Sequence, residues 1–209
     1  MRMGNIIKFP FRAARLGYKR VLRRARNEEH PGQLQLFSQP TAEILQLASG
    51  LSAFEQALLA DERGDSRAVE LYLRAIAEED CVADAYCNLG IIETKQGRTA
   101  KAFGCFTKAL EDNPRHFEAH YNLGNLYFDV EDSRLAQVHY EMAAEIAPAF
   151  PNLYFNLALA LSVNNELAAA ISALIKYREL ASVEDWQMAA ELLENLTKAL
   201  AVSGNRRKS

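Results

Sequence analysis

The chain has 209 residues, 49% of them apolar and 24% charged, the composition of an ordinary globular protein with enough apolar material for one or two domains. No apolar run approaches the roughly 18 residues of a membrane span, and the N-terminus lacks the apolar stretch of a secretory signal, so a soluble, cytoplasmic protein is expected. The net charge of −3 conceals an asymmetry: residues 1–26 carry 9 Lys or Arg and no acid, whereas residues 27–209 carry 15 basic and 27 acidic side chains, two opposite fields in one chain.

The first of these parts is an arm. In FRAARLGYKRVLRRAR, residues 11–26, a helical projection places Phe11, Ala14, Tyr18, Val21, Leu22 and Ala25 on one arc. Arg12, Arg15, Lys19, Arg23 and Arg26 fill the adjacent arc. This basic amphipathic pattern suits three surfaces: an anionic membrane, nucleic acid, or an acidic protein face. A mitochondrial presequence shares the Arg-rich, acid-free form, although serine is missing. A solvated tail, or a helix docked on the protein's own acidic body, is the plainer reading. Residues 27–40, NEEHPGQLQLFSQP, form a polar, proline-flanked linker whose Leu34, Leu36 and Phe37 are suited to pack on the start of the repeats or, less simply, to occupy the groove of this or a neighbouring chain. A short helix is expected at 41–48.

From residue 49 onward the chain repeats. Asn88-Leu89-Gly90 returns as Asn122-Leu123-Gly124 and again as Asn156-Leu157-Ala158, each time after 34 residues. In the second unit Tyr86, Leu89 and Gly90 share one helical face and Ala102, Phe106 and Ala109 another, and Pro114 closes the unit. In the third, His120, Leu123, Gly124 and Tyr127 are followed by Ala136, Tyr140, Ala143 and Pro148. Spacings of three and four in each half predict two amphipathic helices per unit. The small residues Gly90 and Gly124 are expected to face Ala102 and Ala136, so that paired helices approach closely, while Phe106 and Tyr140 fill the gap to the next pair. Gly97 suits the turn inside the second pair.

The co-registered positions resemble the tetratricopeptide repeat, whose pattern is W-x₂-L-G-x₂-Y, A-x₃-F and P over 34 residues. The resemblance implies an all-α, right-handed α-solenoid of about four helical hairpins. Repeats are placed at about 49–82, 83–116, 117–150 and 151–182, with helical pairs at about 50–79, 83–112, 117–147 and 151–180. The fourth repeat departs, with Ala158 for glycine and Leu174 for the aromatic. The first departs further: Ala68, Tyr72 and Ala75 keep the frame of its second helix, but Gln56 stands where glycine is expected and the turn at Gly64 reads one residue short. Atypical end units are usual where one face meets solvent. A solubilising capping helix at 183–203 opens on Ser182-x-x-Asp185, carries Trp186, Ala189, Leu193, Leu196 and Leu200 on one side, with Trp186 placed to pack on the fourth pair, and precedes a basic tail at 205–209.

In such a stack the first helix of each pair lines a concave groove. The resemblance puts Asn88, Ile91, Tyr121, Asn122, Asn125, Phe128, Phe155 and Asn156 in that lining. A row of carboxamides can pair with the backbone of an extended peptide whatever its side chains, leaving specificity to the aromatics. The same asparagines also suit helix packing and local hydrogen bonds. Lys95 is the one base in the lining, beside Asp84, Glu118 and Asp129, so a neutral or basic peptide is expected.

Catalysis requires a nucleophile, base or metal set held within mutual reach, and no such constellation or phosphate- or dinucleotide-binding motif is present. His116 and His120 are spaced for a metal, but His120 holds a packing position; His139 and Cys105 lack a third ligand. Cys81, Cys87 and Cys105 show no C-x-x-C spacing, which points to a reducing compartment. No cofactor or metal is expected. The leading expectation is a non-catalytic adaptor for a partner peptide; the rival gives binding to the arm, on nucleic acid or anionic membrane, with the repeats as an oligomerisation scaffold.

Overall fold

The computed structural model describes residues 50–206. Among the described residues every regular element is a helix, and they divide into two compact units, 50–114 and 115–206. The basic arm, the linker and the helix expected at 41–48 lie outside the described residues.

The first unit holds two hairpins: α1 (Ala53–Glu62) with α2 (Ala68–Ala77), and α3 (Val82–Lys95) with α4 (Thr99–Asp112). Within the unit α1 packs on α2, α2 on α3 and α3 on α4. Ser52 starts α1 with a capping box, its Oγ accepting from Glu55 N–H at 3.3 Å while its own N–H donates to Glu55 Oε2 at 2.9 Å. The first turns of α1 and α3 are further tied by carboxylates: Phe54 N–H donates to Asp80, in the loop after α2, at 2.7 Å, and Ala83 N–H to Asp112, the last residue of α4, at 3.1 Å. The core is the expected seam, with Tyr72, Ala75, Ala102, Phe106 and Ala109 all buried.

Two expectations are corrected in this unit. A Cβ on Gly90 would lie 2.6 Å from Phe106 Cε1: the glycine makes room for the aromatic ring of its own hairpin partner, and not chiefly for Ala102. The glycine-like place in the first hairpin belongs to Ala57, not Gln56. Gly64 and Asp65 N–H groups bond Asp61 and Ala60 as Gly97 and Arg98 bond Thr94 and Glu93, an offset of 33 that sets Ala57 on Gly90. Ala57 is fully buried, whereas Gln56 donates to Leu51 O at 2.8 Å. The missing residue falls after Gly64, as expected. Gly64 and Gly97 both adopt positive φ, +68° and +72°, the left-handed turn conformation that glycine takes without strain.

The second unit holds α5 (Phe117–Asp129) with α6 (Ser133–Ile146), α7 (Pro151–Val163) with α8 (Leu167–Leu180), and the long α9 (Val183–Arg206). Here α6 packs on both α5 and α7, α5 touches α7, and α9 packs on α8. A Cβ on Gly124 would lie 2.5 Å from Tyr140 Cε1, repeating the glycine–ring contact. The fourth hairpin changes both members of that pair together, to Ala158 and Leu174, each fully buried. A smaller partner leaves space for the methyl group. Helix α7 is buried almost all round, from Phe155 through Ser162, as a helix apolar on every face must be. Its last turn is locked to α6, with Asn164 Nδ2 donating to Gln137 Oε1 at 2.6 Å and Ser133 Oγ donating to Asn164 Oδ1 at 2.5 Å.

Ser182 opens α9 as expected, its Oγ accepting from Asp185 N–H at 3.3 Å and donating to the Asp185 carboxylate at 2.7 Å. The buried seam of α9 runs through Ala189, Leu192 and Leu196. Leu193 is only partly buried and Leu200 is exposed, so the predicted face is rotated toward Leu192. Trp186 packs on the core, with the Arg178 guanidinium over its ring at 5.4 Å.

Candidate functional site: the faces of the first helices

The residues expected to line a binding surface fall on α3 in the first unit and on α5 and α7 in the second. On α3, Asn88 and Ile91 are buried. The Asn88 amide faces the Tyr72 phenol and acts to lower its pKa, but Nδ2 has no hydrogen-bond partner among the described residues. Burial, and then the Asp61 carboxylate that Tyr72 bonds at 3.3 Å, push that phenol well above its usual range.

The second unit brings Tyr121, Asn125 and Asn156 into one network. Asn156 Nδ2 donates to Tyr121 Oη at 3.1 Å and to Asn125 Oδ1 at 2.9 Å, and Tyr140 Oη donates to the same Asn125 oxygen at 2.8 Å. Both amide hydrogens of Asn156 have acceptors, as a fully buried carboxamide requires. Burial pushes the Tyr121 phenol up to about 12, against the hydrogen bonds to Asn125 and Asn156, so its proton stays in place at any physiological pH. Tyr121 also meets Phe150 edge-on at 5.3 Å and Tyr140 at 6.1 Å. Phe155 is buried against Tyr177, ring centroids 5.5 Å apart. Asn122 is buried, whereas Asn125 and Phe128 are half-buried. Thus α5 presents Asn125 and Phe128 on a foundation of locked amides and rings. Near them, Glu118 is half-buried and Asp129 exposed; on α3, Asp84 is half-buried and Lys95 exposed. Arg12, Arg15, Lys19, Arg23 and Arg26 lie outside the described residues.

The described histidines divide into two roles. His116 caps α5, its Nδ1 accepting from Ala119 N–H at 3.2 Å. His120, buried on α5, places Nδ1 3.0 Å from His139 Nδ1 on α6, and the His139 ring stacks on Tyr127 at 5.3 Å and 13°. Burial, with His120 as the second cause, lowers the His139 pKa to about 4, so the ring is neutral near pH 7. Sequence reasoning missed this pair. The signal was in the register: His120 precedes Gly124 by one turn and His139 adjoins Tyr140, so the contact between Gly124 and Tyr140 carries the two imidazoles together. Among the described residues no group of three or more His, Cys, Asp or Glu could hold a metal, Cys81, Cys87 and Cys105 form no disulfide, and no helix is long and apolar enough to cross a membrane.

A family model described as Tetratricopeptide repeat matches residues 83–116, and another of the same description matches residues 105–138. No curated protein matches the sequence significantly. Among solved structures, MamA from Desulfovibrio magneticus RS-1, residues 41 to the end, is 22% identical with a TM-score of 0.56, covering 70% of this chain and 92% of that one. The first TPR of Spaghetti (RPAP3), bound to the HSP90 peptide SRMEEVD, is 22% identical with a TM-score of 0.52, covering 57% and 93%. The first TPR domain of human RPAP3, solved by NMR, gives 22% identity and a TM-score of 0.51, covering 59% and 95%. At this identity the likeness establishes the fold.

Proposed function

We propose that this chain, a tetratricopeptide-repeat protein, is a non-catalytic adaptor that takes an extended peptide segment of a partner along the faces of its first helices. The observation that carries the reading is the network of Asn156, Asn125, Tyr121 and Tyr140. It fixes α5 against α7 without spending the half-buried Phe128, so an aromatic contact is presented on a surface that loses little entropy on binding. Phe128 and Asn125 supply the contact, with Asn122 beside them and Tyr121, Phe155 and Asn156 as their support; on α3, Asn88 and Ile91 hold the corresponding face. A structurally similar domain binds a peptide, which supports the same use here. With Glu118 and Asp129 on this face, the favoured peptide is neutral or basic.

Random-peptide display on the full chain tests the reading. Selected peptides should lack acidic residues, and Asp129→Lys, an exposed change, should weaken binding of a basic one. Phe128→Ala should cost about tenfold in affinity, about 1.4 kcal/mol, with denaturation run alongside to separate folding from binding. An enrichment of acidic peptides, or affinity indifferent to both changes, would overturn it.

A further inference from the structure

The second helices of the four hairpins turn the same register positions to solvent, and three of them treat those positions alike. In α2 and just before it the residues are Arg67, Glu70 and Arg74; in α4 they are Lys101, Gly104 and Lys108; in α8 they are Ala169, Ser172 and Lys176, all exposed. Helix α6 alone carries large apolar side chains there. Leu135, Val138 and Met142 are 41%, 51% and 37% exposed, and their spacing of three and four aligns them on one face. Since the sister hairpins are built without them, the stripe is not a requirement of repeat packing. Exposed apolar side chains that line up, rather than scatter, mark a docking surface.

Glu141 and Glu145 follow beside the stripe, both exposed. Neither makes an ion pair among the described residues; Glu141 accepts only from Gln137 Nε2, at 2.9 Å. The unit carries 6 Lys or Arg against 12 Asp or Glu over residues 115–206, a balance of −6. An occupant should therefore offer an apolar arc with a basic edge and no acids. Residues 11–26 of this chain have that pattern: Phe11, Ala14, Tyr18, Val21, Leu22 and Ala25 on one arc, and bases on the next. The 23 residues from 27 to 49 span up to about 80 Å when extended, ample to reach across a small protein.

We infer that the solvent face of α6, formed by Leu135, Val138 and Met142 and edged by Glu141 and Glu145, is the docking site of the chain's own basic arm, residues 11–26. Docking covers the apolar arc of the arm against the stripe and sets its arginines beside the carboxylates. The inference concerns a second helix and stands apart from peptide binding by the first helices.

A photo-cross-linking residue, p-benzoylphenylalanine, placed at Val138 in the full chain tests it directly. The side chain is exposed, so folding is not at stake. At sub-micromolar protein, mass spectrometry should find cross-links from position 138 to peptides within residues 11–26, and none from the same probe at Gly104. An equal mixture of light and heavy-isotope chains tells which chain supplied the arm, and light-light and heavy-heavy pairs should dominate. Glu141→Lys with Glu145→Lys should lower the yield at least threefold at low salt, and Met142→Lys should lower it at any salt. Mixed-isotope pairs, equal yield from Gly104, or no cross-link to residues 11–26 would overturn the assignment.

Discussion

Adding one methyl group at Gly90 separates two opposed effects. In a helix interior alanine is favoured over glycine by about 0.5–1 kcal/mol, so Gly90→Ala would stabilise the protein if space allowed. The structure denies the space: the new Cβ would lie 2.6 Å from Phe106 Cε1 and 2.8 Å from Cδ1 and Cζ, against about 3.5–4.0 Å for unstrained carbon contacts. Phe106 is 1% exposed and cannot swing aside. Overpacking of this kind costs about 1–3 kcal/mol, so the net loss should be about 1–2 kcal/mol. Phe106→Leu alone should also cost about 1–2 kcal/mol, through lost burial and residual cavity. In combination the alanine should become neutral or favourable, as the fourth hairpin already has it with Ala158 and Leu174. Urea titration of the four proteins, with m-values compared, should give a coupling energy of about 1.5–3 kcal/mol in favour of the double variant. An additive cycle, or a single Gly90→Ala variant more stable than the wild type, would refute the ring-under-glycine account.

The left-handed turn position held by Gly97 is held by Glu131 in the third hairpin, at φ +65°; Glu131→Gly should raise stability by about 0.5 kcal/mol while Gly97→Ala lowers it by about 1 kcal/mol, both read from denaturation midpoints. His139 gives a pH dependence. Its folded pKa of about 4 lies below the ordinary 6.5, so the unfolded chain takes up the proton first as pH falls, and stability present above about pH 6.5 is lost progressively toward pH 4. Because the ring is partly exposed, solvent screening reduces that loss to about 1–2 kcal/mol; the drop between pH 7 and pH 4.5 should be smaller by that amount in His139→Gln. Asn156→Leu should cost about 2–4 kcal/mol, since Tyr121 and Asn125 lose a buried donor, whereas Asn88→Leu, which removes an unbonded Nδ2, should stay within about 1 kcal/mol of the wild type. Equal losses at the two sites would show that the network carries no special weight.

The hairpins were legible in the sequence because Asn-Leu-Gly, the following Ala-x-x-x-aromatic and the closing proline recur together, and such recurrence has few structural solutions. Which partner each small residue faces was not legible. Period alone gives the face of a helix, not the depth to which an opposing ring reaches, so Gly90 was set against Ala102 when Phe106 occupies the space. The Asn156 network was within reach of the same register, since its partners Tyr121 and Asn125 lie 35 and 31 residues back, either side of one repeat. The competing uses of an asparagine, for ligand or for packing, look identical in a sequence. For α9, the choice of Leu193 over Leu192 was a rotation of one residue, which nothing short of the packing against α8 determines. The stripe on α6 escaped notice for the opposite reason: its residues break no helical rule, and only comparison with the exposed positions of α2, α4 and α8 sets them apart.

The central claim is that a partner peptide lies on the first helices of the repeats. Backbone amide spectra of the isotope-labelled full chain, titrated with a display-selected basic peptide, test it most directly. The account predicts saturable shifts concentrated on α5 and α7, with Asn122, Asn125 and Phe128 among the largest. Shifts confined to α6 and α8 would contradict it.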